Sequence, residues 1–204
     1  FLAHYYGLVS FVDKLVGDLV DTLRETGQFE NTLIIFGSDH GDHAGEHGTI
    51  FKSFSLFEGQ LRVPLIMHWP QGIRPQGTKE AYAENVDILP TMLEAAGQEI
   101  PWGVQGRSLM PVLRGEKASV RDFLFSEYHY QKAIRKGPWK LIHYAGKPLS
   151  ELYNLEKDPF EADNLYNEPE CHEIREELKD LILTHLVATE PPGSAYDANF
   201  ANAV

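Results

Sequence analysis

The run Thr32-Leu33-Ile34-Ile35-Phe36-Gly37 restricts the fold of this chain more than any other segment. It is nearly all apolar and too short for a helix, which suits a strand buried on both faces. Leu8, Phe11, Val12, Leu15, Leu19 and Leu23 precede it at helical spacing, with acids and bases between them, and Gly27 stands where a C-cap belongs. Helix, polar turn (Gln28 to Asn31) and buried strand together imply an α/β layer. A second apolar run, Val63 to Trp69, follows about one crossover later and predicts another strand of the same sheet. Pro64 near its start is tolerated there.

Downstream, Gly72 to Gly77 reads as a loop, and Asp87 as the N-cap of a helix through Leu89, Met92 and Leu93 that Gly97 stops. The turn-rich stretch Gly103 to Gly115 suggests a boundary. Beyond it come short β-like runs, Phe123 to Tyr130, Lys132 to Arg135 and Trp139 to Tyr144, which predict a small antiparallel sheet. Ile174, Leu178, Leu181, Ile182 and Leu186 predict a helix covering one face of it. The expected organisation is an α/β portion over 1–115, a small α+β unit over 116–190 and a loose tail over 191–204.

Composition narrows the partners. A formal net charge of −12 opposes general binding to nucleic acid or anionic lipid, and nine of those charges sit between Glu151 and Glu190. One cysteine, Cys171, excludes an intrachain disulfide, a four-cysteine zinc site and an iron–sulfur cluster. No apolar run reaches the roughly 18–20 residues of a membrane span. The opening Phe1-Leu2-Ala3-His4 lacks both an initiator Met and the basic start of a signal peptide, so the chain reads as part of a longer polypeptide. A half-sheet cut from a larger layer is expected to expose an edge and an apolar face, to be covered by the missing part or by a second copy.

Chemistry concentrates in Gly37 to Lys52, at the carboxyl end of the first predicted strand, the edge where open α/β sheets place ligand sites. Asp39 and His40 can converge on a divalent cation through one carboxylate oxygen and one imidazole nitrogen, leaving further positions to be filled from elsewhere. His40, His43 and His47 have the three-and-four spacing of a helical zinc set, but Gly41, Gly45 and Gly48 oppose a regular helix. His43 and His47 are therefore expected to support the metal ligands from behind or to shape the loop. Lys52, between Ile50-Phe51 and Phe54, is expected to face an oxyanion such as sulfate or phosphate, or else to snorkel at the surface. Glu58 and Arg62 are expected to pair on a short helix.

Ser38-Asp39-His40-Gly41, then Gly45-Glu46-His47-Gly48, Phe51-Lys52, Phe57-Glu58 and Leu61-Arg62-Val63-Pro64-Leu65-Ile66 ending in Trp69-Pro70, resembles the carboxyl half of the type I sulfatases of the alkaline phosphatase superfamily. Asn31 to Phe36, Val86 to Gly97, Gly106 to Leu109, Arg135 to Ile142 and Glu151 to Pro159 are similarly characteristic, so the resemblance covers about residues 3 to 185. It implies a sulfatase-like α/β sandwich, of which 1–115 is the last portion, with a small C-terminal sheet. It also implies that Asp39 and His40 are two ligands of a divalent ion, commonly Ca²⁺ with Mg²⁺ or Mn²⁺ as alternatives. Lys52 would contact the sulfate and help its bridging oxygen leave. His after Asp, rather than Asn, is similar to the branch of iduronate and choline sulfatases and phosphonate monoester hydrolases.

The family nucleophile is a formylglycine made in a C-x-P-S-R type motif, and no such motif stands in these residues. The chain alone is thus expected to be catalytically incomplete, with the formylglycine on a missing amino half. Alternative readings are a phosphonate monoester hydrolase or phosphodiesterase of the same superfamily, an inactive chain serving as a folding or interaction module, and a self-sufficient three-histidine zinc hydrolase. The compartment stays open in the sequence; family habit suggests periplasmic, secreted or lysosomal placement.

Overall fold

A computed structural model describes residues 1–189; the expected tail at 191–204 lies outside the described residues. Helix α1 runs from Leu2 to Glu25. Its end is set by Gly27, whose positive φ of 70° lets Gln28 N–H reach Leu23 O (2.8 Å) while its own N–H reaches Arg24 O (3.1 Å). Strand β1, Ile34–Gly37, and strand β2, Leu65–His68, pair antiparallel, with Ile34 opposite His68 and Gly37 opposite Leu65. Between them lies the four-residue helix α2, Glu58–Leu61.

Burial on both faces of β1 does not hold. Its side chains are half-buried and Ile66 of β2 is 59% exposed, because no second layer closes over this pair among the described residues. The same is true of α1, none of whose residues is buried. An exposed edge and apolar face were expected of a partial sheet, and they are present. Among the described residues no helix is long and apolar enough to cross a membrane.

Helix α3, Ile88–Ala95, ends at Gly97 as the pattern predicts, but Asp87 does not cap it with its side chain. A 3₁₀ turn over Asn85–Asp87 leads in, closed by a capping box between Glu84 and Asp87. The Asp87 carboxylate is fully buried and accepts from the Glu84 N–H (2.9 Å), the Arg107 N–H (2.7 Å) and the Arg121 guanidinium. A buried carboxylate needs such partners, and those available lie across the turn and on distant loops rather than along α3. A short helix α4, Met110–Leu113, follows.

The last part is an antiparallel meander of β3 (Leu124–Tyr128), β4 (Gln131–Lys136), β5 (Trp139–Tyr144) and β6 (Ser150–Asn154), in that order. Helix α5, His172–Thr189, lies over one face, and Leu178 and Ile182 close on Ile134, Leu141 and Leu152. Strand β6 completes the sheet and was not among the strands expected from the pattern. The other face of the sheet carries Ala133, Ile142 and Tyr153, which pack on Leu56 from the segment after Lys52. The seam is also ionic. Glu58 takes Arg135 (2.8 Å) and the buried Lys140 (3.0 Å), and Lys140 also holds buried Glu161 (2.7 Å). The expected Glu58–Arg62 pair is therefore replaced, since desolvated cations from the sheet compete better than an exposed neighbour.

Candidate functional site

The end of β1 delivers Ser38, Asp39 and His40 into an irregular loop. Ser38 Oγ donates to His40 O (2.7 Å), and the Asn85 amide donates to Ser38 O (3.1 Å) and Asp39 O (3.3 Å), so the turn is held from both sides. Asn85 lies 46 residues beyond Asp39, and no local signal marks it.

Asp39 accepts the His40 N–H on Oδ1 (3.0 Å) and turns Oδ2 toward His40 Nε2 (3.7 Å). That backbone N–H, helped by the Lys52 ammonium, holds the Asp39 carboxyl below its ordinary value, so it is ionised at neutral pH. His40 Nδ1 lies 2.9 Å from Gly41 O. A carbonyl only accepts, so Nδ1 carries the proton and Nε2 keeps its lone pair, the arrangement typical of a ligating histidine. Lys52 Nζ stands 3.5 Å from the same Nε2. Thus a charged oxygen, a neutral nitrogen donor and an ammonium meet at one surface point.

His43 and His47 point elsewhere. His43 is fully buried, with Nε2 3.1 Å from Ser55 Oγ and Nδ1 3.7 Å from Glu46 Oε2. His47 stacks on Phe57 with ring centroids 3.7 Å apart. The His43 ring packs inside the loop, while the exposed His47 ring lies flat over Phe57. Among the described residues no three His, Cys, Asp or Glu side chains are grouped to hold a metal, which removes the three-histidine zinc reading. The donor set of Asp39 and His40 nevertheless fits two positions of a divalent-ion site: one ionised carboxylate and one imidazole with an outward lone pair. An open hollow of about 920 Å³ adjoins Asp39 and Asn85, walled by Ile35, Trp69, Ile88 and Met92.

Residues 45–187 match the family described as N-sulphoglucosamine sulphohydrolase, C-terminal. The chain belongs to this sulfatase family. It is 35% identical over 195 residues to the N-acetylglucosamine-6-O-sulfatase of Bacteroides thetaiotaomicron, covering 89% of this chain and 35% of that protein. It is 40% identical over 173 residues to the choline-sulfatase of Rhizobium meliloti, covering 81% and 33%. A solved structure of a protein in complex with its substrate D-glucosamine-2-N,6-O-disulfate superposes with a TM-score of 0.81 at 32% identity, over 91% of this chain and 41% of that one. The phosphonate monoester hydrolase of Agrobacterium radiobacter superposes with a TM-score of 0.82 at 28% identity, over 94% and 42%. The chain thus has the fold of the C-terminal part of the sulfatases of the alkaline phosphatase superfamily, and spans about a third of the length of the curated relatives it matches.

Proposed function

We propose that this chain supplies the C-terminal part of a sulfuric ester hydrolase, and that Asp39, His40 and Lys52 are its contribution to the active site. The observation that carries this reading is their convergence: His40 Nε2 lies within 3.7 Å of Asp39 Oδ2 and 3.5 Å of Lys52 Nζ. Asp39 and His40 would hold a divalent cation, Ca²⁺ by family habit, jointly with residues outside these 204. When bound, that ion supplies positive charge against the sulfate oxygens. Asp39 brings a ligand that is ionised at working pH, and the Gly41 carbonyl keeps His40 in the tautomer that presents Nε2.

Lys52 has a different task. Its ammonium would donate to sulfate oxygens and to the bridging oxygen as the S–O bond breaks, so the charge developing on the leaving oxygen meets a fixed cation. The attacking group, a formylglycine by family habit, would stand on polypeptide outside these residues. The hollow beside Asp39 supports a place for the organic part of the ester.

The test is Lys52→Ala in the full-length protein that carries this segment. Removing one such donor is expected to lower kcat toward a sulfate ester by about 10²–10³-fold. Unfolding stability should move by no more than ~0.5 kcal/mol, as for other exposed side chains. Turnover close to wild type would remove Lys52 from the site. The likeness to a phosphonate monoester hydrolase supports a second reading, since the same groups suit any tetrahedral oxyanion. Faster turnover of a phosphonate monoester than of any sulfate ester offered would establish it.

A further inference from the structure

Helix α2 is a single turn, yet it touches both segments that carry the site. The Gly41 N–H donates to Gln60 O (2.8 Å), and the Ser53 N–H donates to Gln60 Oε1 (3.0 Å). Gly41 follows His40, and its carbonyl accepts from His40 Nδ1–H; Ser53 follows Lys52. One residue therefore grips the backbone just after each, with its main chain on one side and its side-chain amide on the other. The fit is close: a Cβ at Gly41 would lie 2.2 Å from Gly59 O, so only glycine lets the loop sit against α2.

The grip is useful only if α2 cannot move, and it is anchored. The Glu58 N–H donates to Glu161 Oε2 (2.6 Å), and the Glu58 carboxylate meets Arg135 and the buried Lys140 of the small sheet. Lys52 has no comparable support of its own. Among the described residues the only hydrogen-bond partner of its ammonium is His40 Nε2, and the side chain is exposed. A long flexible side chain can be aimed only by fixing where its backbone starts.

We propose that Gln60 is a positioning residue, whose side-chain amide sets the place of Lys52 relative to His40; this rests on the reading of Lys52 given under Proposed function. Its two bonds separate the consequences. Replacing the side chain frees Ser53 and Lys52 but leaves the main-chain bond to Gly41, and with it His40 and Asp39, in place.

The experiment compares Gln60→Leu, which keeps the size and loses the acceptor, with Gln60→Glu, which keeps an oxygen, in the full-length protein. Gln60→Leu is expected to lower kcat by about 10- to 100-fold, the scale of a ~1 Å misplacement. Metal affinity by titration calorimetry should be unchanged and amide exchange at Ser53 faster. Gln60→Glu should recover most of the lost kcat. In a Lys52→Ala background Gln60→Leu should cost nothing more, because the group it aims is gone. Full kcat in Gln60→Leu, or losses that multiply with Lys52→Ala, would overturn the proposal while Lys52→Ala alone stays impaired. A silent Lys52→Ala would instead overturn the underlying reading, and Ser53 exchange would still show whether the clamp exists.

Discussion

Leu178 and Ile182 on α5 are closed against Ile134, Leu141 and Leu152, whereas Leu8, Phe11, Leu15 and Leu19 on α1, spaced by the same helical period, are each about half exposed or more. The two helices differ in what faces them. The small sheet brings its own cover within these residues, while α1 and the β1–β2 pair have no such cover among the described residues. The open layer holds Asp39 and His40, and the closed unit steadies them from behind through Leu56 and the Glu58 cluster. On the reading proposed above, further polypeptide would complete a site built on this open layer. That agrees with a chain spanning about a third of its relatives.

The contrast can be broken most directly at the seam. Lys140→Met would strand Glu58 and Glu161 without their buried cation, and the loss expected for breaking a buried ion pair is about 3–5 kcal/mol in urea unfolding. An unchanged midpoint would mean that the two parts stand independently. Next, Leu178→Ala should cost about 2–5 kcal/mol by opening a cavity in the closed core. In the same chain, Leu19→Ala should cost less than ~0.5 kcal/mol, since its site is already open to water. Equal losses would erase the distinction.

The smallest effect concerns pH. Burial pushes the imidazoles of His143 and His185 below their ordinary value of 6.5. The unfolded chain then binds protons first on acidification, so this part of the stability is full above ~6.5 and is lost as pH falls through the folded values. The melting temperature should decline between about pH 7 and 5, and His185→Gln should flatten part of the slope. A slope untouched by that substitution would show that His185 does not contribute to it.

Much of this was legible along the chain. The apolar runs located β1 and β2, the glycines at 27 and 97 ended α1 and α3, and the Gly-Pro and Gly-Lys-Pro turns separated the strands of the meander. Asp39, His40 and Lys52 stood out because chemistry clustered after a strand end. Strand β6 was missed because Glu151 and Asn154 dilute its apolar signal, and its core residues, Leu152 and Tyr153, face opposite sides of the sheet. Glu58 was misassigned because its partners, Arg135, Lys140 and Glu161, lie 77 or more residues away.

Local periods, caps and turn residues act over a few positions, so the sequence by itself determined which elements form and which segment carries the chemistry. Which cation Glu58 takes, which carboxylate Arg121 neutralises and how Gln60 spans two strands of the loop depend on groups brought together by folding. Those choices were decided by desolvation: a polar atom removed from water bonds to whatever the tertiary structure sets beside it.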